Sequence, residues 1–176
     1  MTPASVLDSK DPLGNFRNRF VHNSDETDLI YLDGNSLVKQ PTAVSEVLNR
    51  IVDHDWAERL IRGWNEGWLN ISRSVGDLIG ELLGAQSGEV ILAENTSTCL
   101  YKSAVAALRS QPNKGRVVTD SENFPSDIQI LRSACQSAGL DHKVKIVDTS
   151  SASDPTSALL DAIDDSTALV SLSHVS

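Results

Sequence analysis

The chain has 176 residues, of which 40 % are hydrophobic and 22 % charged, and its formal net charge is −9. That length suits one domain or a little more, with enough residues to bury a sizeable core. The acidic balance argues against nucleic acid or an anionic membrane as the main partner, because both favour a basic surface, and no apolar run of about 18 residues offers a membrane span.

Residues 1–30 read as a polar arm, with a short basic, helix-like patch around Phe16 to Phe20. Met1 to Gly14 lacks the apolar core of a signal peptide. Leu29 to Asp33 is a short apolar run that stops at the turn signal Gly34-Asn35-Ser36. Pro41 opens a long helical pattern with Val44, Leu48, Ile51, Val52 and Leu60 at helical spacing, and the pattern breaks near Gly63. Trp56, in step with Val52 and Leu60, reads as a packing aromatic. A second helix is expected over Leu69 to Leu83, with Gly84 as the glycine just past its end.

From residue 88 strands and helices alternate. Strands are expected at Glu89–Ala93, Arg116–Thr119, Lys143–Val147 and Ala168–Ser173. Helices are expected at Thr98–Arg109, Pro125–Ala138 (ending at Gly139) and from the Asp154-Pro155 cap to Ile163. This alternation implies an α/β fold with a mostly parallel, buried sheet. Three segments follow: an arm over 1–30, a helical segment over 31–87 and an α/β segment over 88–176. A sheet ending at Ser176 directly after a strand would leave a face uncovered, so a truncated chain is expected.

Cys99 and Cys135 are the only cysteines. Each falls in a helical pattern among small residues, which predicts free buried thiols and a reducing, cytoplasmic setting. His22, His54, His142 and His174 are far apart in sequence, so no metal-ligand spacing exists.

The stretch Glu94-Asn95-Thr96-Ser97-Thr98 lies between an apolar run and a helical pattern. Free N–H groups of a first helical turn, the positive end of the helix dipole and hydroxyl side chains form a ready phosphate site. An ordinary capped helix accounts for the same pattern. The stretch lacks the glycines of a P-loop or dinucleotide fingerprint. Ligands of parallel sheets bind beyond the carboxyl ends of the strands, where Thr96–Thr98, Asn123–Asp127 and Ser173–Ser176 are all expected.

The motifs Tyr31-Leu32-Asp33-Gly34-Asn35-Ser36-Leu37, Gly63-Trp64-Asn65-Glu66-Gly67-Trp68, Asn95-Thr96-Ser97-Thr98 and Asn123-Phe124-Pro125-Ser126-Asp127, in this order and spacing, resemble kynureninase. Val170-Ser171-Leu172-Ser173-His174-Val175 fits as well. The resemblance covers roughly residues 15 to 176 and implies the first part of a pyridoxal-phosphate (PLP) transferase large domain of fold type I. It implies hydrolysis of L-kynurenine, or its 3-hydroxy form, to anthranilate (3-hydroxyanthranilate) and L-alanine, in tryptophan degradation and NAD precursor synthesis. It also implies a homodimer.

By the same resemblance Ser97 and Thr98 hold the cofactor phosphate. Phe124 lies against the pyridine face, Pro125, Ser126 and Asp127 complete the motif at the cofactor, and Ser173 touches PLP. Ser36 and Trp64 belong to the substrate side. Without the family, Phe124 reads as core, Asp127 as a residue complementing the helix dipole, and Trp64 and Trp68 as packing aromatics. Lys102 reads as a packing residue within its helix and Lys39 as a turn residue, so neither is expected to be the Schiff-base lysine. The family's lysine motif lies beyond Ser176, and no turnover is expected of this polypeptide alone. The family usually has glycine after GNSL, where this chain has Val38, so a changed or strained turn is expected there. Two alternatives remain open: another fold-type-I PLP enzyme such as a cysteine desulfurase relative, and a non-catalytic truncated isoform.

Overall fold

The computed structural model describes residues 3–22, 29–139 and 143–173. The chain forms two compact units, Met1–Val75 and Gly76–Ser176.

In the first unit a short helix α1, Ala4–Asp8, is followed by a 3₁₀ turn at Gly14–Arg19. That turn is the basic patch expected there, and the Arg19 guanidinium lies over the Phe16 ring, 5.4 Å from its centroid. Phe20 then bridges to Pro41, and Val21 N–H donates to Gln40 O at 2.8 Å. The turn expected at residues 34–36 is present, closed by Leu37 N–H donating to Asp33 O and by the Tyr31 hydroxyl donating to Leu37 O.

The long helical pattern after Pro41 exists but changes its hydrogen bonding along the way. α2, Ala43–Arg50, runs into a π-helical stretch at Ile51–Arg59 and then a 3₁₀ turn at Leu60–Trp64. At the join Leu60 has φ 53°, the one described non-glycine residue in the left-handed region. Val38 is therefore not forced into positive φ, and the strain expected after the GNSL turn is absent.

Trp56 does not pack as expected: it is 65 % exposed, and Val52 and Leu60 are exposed beside it. Periodicity correctly says that the three share a face, but nothing described covers that face. Of the described residues up to Val75, only Gly63 is buried.

Helix α3, Trp68–Leu83, ends at Gly84 with φ 74°, as the sequence indicates. The segment after it departs from expectation. Asp77 on α3 accepts from Gly88 N–H (2.7 Å) and Ser87 Oγ (3.2 Å), which turns the chain back along the helix. Val90 then lies against Gly76 and Gly80 so closely that a Cβ on Gly76 would sit 2.2 Å from Val90 O. Residues 89–93 consequently lean on a helix and form no strand. The sheet has three described strands where four were expected.

Those strands are β1 (Arg116–Asp120), β2 (Lys143–Val147) and β3 (Thr167–Val170), all parallel in the order β2-β1-β3. The strand expected to reach Ser173 ends at Val170, with one more ladder bond from Ser171 N–H to Val118 O. Three helices flank the sheet: α4 (Thr96–Ser110), α5 (Pro125–Ala138) and α6 (Pro155–Ala162). α5 has Pro125 at its first turn and ends at Gly139 with φ 73°. The Asp154 carboxylate caps α6, accepting from Thr156 and Ser157 N–H.

Alternation along β1 divides the core between the two faces of the sheet. Val117 packs with Ala104 and Leu108 of α4, Leu131, Ala134 and Cys135 of α5, and Ala168. Val118 packs on the other side with Val147 and with Ala162 of α6. Burial pushes the Cys135 thiol up from its ordinary value, and Cys99 is half-buried; both are free, as expected. No helix among the described residues is long and apolar enough to cross a membrane.

The approach of Val90 to α3 is the least tolerant contact of this half. Gly76→Ala is expected to destabilise the protein by about 3 kcal/mol, since the obstacle is backbone and cannot move aside as a side chain can. Urea unfolding of the variant checks it, and an unchanged midpoint would contradict the packing.

Candidate functional site

The helix α4 begins in the way its sequence suggests, with one refinement. Asn95 is the N-cap: its side-chain oxygen accepts from Thr98 N–H at 2.8 Å, and its carbonyl accepts from Cys99 N–H. The Thr98 donor is thus already engaged. The carbonyls of Thr96 and Ser97 serve the helix, but no described residue accepts from their N–H groups, which are the donors left at the positive end of the helix. Ser97 is exposed and Thr98 half-buried.

Ser97, Thr98 and Tyr101 line a depression of about 340 Å³ together with Gln129, Ile130 and Ser133 of α5. Tyr101 donates to Ser137 Oγ at 2.7 Å, which fixes the ring between the two helices. At the other end of α4, Gln111 Nε2 donates to Ala168 O near the start of β3. α4 therefore runs against the strands, and its N-terminus stands at their carboxyl edge.

A second group of residues meets at that edge. Asn123, 4 % exposed, donates through Nδ2 to Thr119 Oγ1 (2.8 Å) and to Ser171 O (3.2 Å), while its Oδ1 accepts from Phe124 N–H (2.8 Å). One amide thereby joins β1, the residue after β3 and the start of α5. Held in this way, Phe124 turns outward and is 67 % exposed, contrary to the core role that its residue type alone would suggest. Pro125 opens α5, Asp127 sits in its first turn, and Ser126 Oγ donates to Asp127 Oδ1 at 3.3 Å. Ser173 lies two residues beyond Ser171; the His174-Val175 end of its motif lies outside the described residues. Asn123 was legible as the first letter of a motif, but its clasp depends on Ser171, just past β3 and 48 positions away.

Ser36 and Trp64 belong to the first unit. Ser36 is exposed in the turn at 34–37. Trp64 is half-exposed, and its ring meets Trp68 edge-on, with centroids 6.3 Å apart and planes at 76°. Gly63 packs beneath the Trp68 ring, where a Cβ would lie 3.2 Å from ring atoms. Glu66 pairs with Arg59, whose hydrogen bond holds the carboxyl below its usual range.

Lys102 was expected to pack among apolar neighbours. Instead its Nζ donates to both carboxylate oxygens of Glu94 at 2.7 Å. The apolar neighbours belong to the inner stripe of α4, and Lys102 reaches outward from it. The lysine's hydrogen bond holds the Glu94 carboxyl below its ordinary value. This offsets a negative charge that would otherwise stand close to the helix start.

The second unit is thus an α/β protein whose parallel sheet presents unengaged helix N–H groups and an exposed aromatic ring at its carboxyl edge, the layout of part of a PLP-transferase large domain. No family model matches the chain. Curated relatives do. The kynureninase of Burkholderia pseudomallei (strain 1106a) is 36 % identical over 177 residues, covering 98 % of this chain and 40 % of that protein. The kynureninase of Burkholderia mallei (strain SAVP1) matches at 36 % over the same shares, and that of Pseudomonas fluorescens at 35 %, over 97 % of this chain and 40 % of the relative. The chain resembles these kynureninases along nearly its whole length and spans about two fifths of the length of the curated relatives it matches.

Two outcomes test this local geometry. Asn95→Ala removes the cap and is expected to cost about 1 kcal/mol in urea unfolding; no loss would mean the cap is not formed. Lys102→Ala should return the Glu94 titration upward to the ordinary glutamate range, as followed by carboxyl NMR. The sign follows from a folded-state pKa below the unfolded one: the Glu94–Lys102 contribution is present above the unfolded value and fades as pH falls through the folded value.

Proposed function

We propose that the chain carries the phosphate and ring-face half of a kynureninase-type site, for PLP-dependent hydrolysis of L-kynurenine or its 3-hydroxy form to anthranilate or 3-hydroxyanthranilate and L-alanine. The observation that carries the reading is the similarity to kynureninases over 98 % of the chain, joined to an edge where the Thr96 and Ser97 N–H groups and the Phe124 ring have no internal use.

The residues fit such a cofactor. The Thr96 and Ser97 N–H groups, with the Ser97 and Thr98 hydroxyls, would hold a phosphate at the start of α4. The adjacent carboxylate of Glu94 is neutralised by Lys102, so no unpaired acid repels the anion there. Phe124, exposed at the end of a clasped loop, offers an apolar face that a flat heteroaromatic ring would cover. Pro125 and Ser126 set the first turn of α5, from which Asp127 accepts hydrogen bonds and orients the bound ring. Ser173 adds a hydroxyl beyond β3.

When bound, the cofactor supplies an electron sink for the reacting carbon skeleton, while the protein supplies binding and orientation. Ser36 and Trp64 serve the substrate, Trp64 as an aromatic wall suited to an aniline ring. The setting is a reducing cytoplasm, which keeps Cys99 and Cys135 as thiols, and the assembled enzyme is a homodimer in tryptophan degradation and NAD precursor synthesis.

Equilibrium dialysis of the chain against PLP tests the cofactor part. Saturable binding should be displaced by inorganic phosphate and weakened about tenfold, or about 1.4 kcal/mol, by Ser97→Ala and by Phe124→Ala. Absence of binding, or binding indifferent to both substitutions, would overturn the assignment.

A further inference from the structure

In the first unit, Val21 N–H donates to Gln40 O at 2.8 Å and Thr42 N–H to Arg19 O at 2.9 Å, so residues 19–21 lie alongside 40–42. The turn at 34–37, closed by the Tyr31 hydroxyl donating to Leu37 O, stands beside this pairing. Together they enclose a cavity of about 270 Å³ with apolar walls from Phe20, Tyr31 and Val38 and a polar lining from Arg17, His22 and Lys39.

The charge of this lining runs against the rest of the molecule. The chain has 15 basic and 24 acidic residues, yet among the described residues no carboxylate lines the cavity. Neither the Arg17 guanidinium nor the Lys39 ammonium has an ion-pair or hydrogen-bond partner among the described residues. Lys39 is nonetheless half-buried, a place where an ammonium without an anion is costly. The His22 ring is fixed against Arg17: its Nε2 lies 2.8 Å from the Arg17 carbonyl, which can only accept, so Nε2 carries the proton.

Two unpaired cations beside two aromatic rings suit an anion with a flat apolar body. A carboxylate accepts charge-assisted hydrogen bonds from both Lys and Arg, and an aromatic ring covers Phe20 and Tyr31. The cavity is at the small end of ligand pockets, so it takes a single substituted ring and excludes a nucleotide.

We propose that this cavity is a binding site for an aryl carboxylate, whose acid group pairs with Lys39 and Arg17 and whose ring lies against Phe20 and Tyr31. The site uses no residue of the α4 cup and does not depend on PLP, so the two readings fail separately.

Anthranilate is the probe, titrated into the chain and followed by amide NMR and by its own fluorescence. Saturable binding with a Kd of about 1 mM or tighter is expected, with shifts centred on Phe20, Gly34, Val38 and Lys39. Lys39→Gln and Arg17→Gln should each weaken binding about tenfold, the loss of one charge-assisted hydrogen bond. Both variants should keep the wild-type urea midpoint, because neither side chain has an internal partner to lose; a lowered midpoint would contradict that premise. Acetate, which lacks the ring, and aniline, which lacks the acid, should each bind at least about tenfold more weakly than anthranilate. Failure to saturate, or binding indifferent to both substitutions, would overturn the proposal. Acetate or inorganic phosphate binding as tightly as anthranilate would reduce the cavity to an unselective cationic patch and refute an aryl carboxylate site. Shifts centred instead on the Trp64 and Trp68 indoles, or on the start of α4, would put the ligand elsewhere and refute it as well.

Discussion

The arrangement of the carboxyl edge depends on one buried amide. Asn123 is bonded to the strand before it, to the segment after β3 and to the first residue of the next loop. Because all three bonds are satisfied in a nearly inaccessible place, the loop between β1 and α5 has little freedom. That restraint lets an exposed phenylalanine stand in a defined position. A free loop would fold such a ring back onto apolar surface.

Around that clasp the second unit follows from the alternation of a single strand. Val117 and Val118 commit the two faces of the sheet to different helices, so β1 is buried on both sides and its neighbours pair with both its edges. The helices on the Val117 face run against the strands, which delivers the start of α4 to the carboxyl edge. Fold and local chemistry are consistent there: unengaged N–H groups, a neutralised acid and an aromatic face occupy the place where ligands of parallel sheets bind.

Much of this half could be read in the residues. Pro125 and Gly139 bound α5 at both ends, Asp154 announces α6, and the β1 and β2 runs are short, apolar and flanked by turn residues. The misreadings have physical causes. Glu89 to Ala93 looks like a strand because apolar residues suit a sheet and a helix groove equally, and only Gly76 and Gly80, about one turn apart on α3, admit Val90 to the helix. The π-helical stretch at Ile51–Arg59 leaves no mark, since a change of backbone hydrogen-bond register alters no residue type. Trp56 was misjudged because spacing reveals a shared face but not what covers it. At the site, the hydroxyl residues of α4 and the order of the motifs were legible. The consumption of the Thr98 donor by Asn95, the Glu94–Lys102 pair and the Asn123 clasp were not, because each depends on where side chains meet in space.

The most direct measurement is the amide NMR spectrum of the chain titrated with PLP. Shifts concentrated at the Thr96, Ser97 and Phe124 amides, with the Thr98 amide less affected because Asn95 already holds it, are the predicted result. A spectrum unchanged at these positions, or shifts spread over unrelated surface, would contradict the assignment of this edge as a cofactor site.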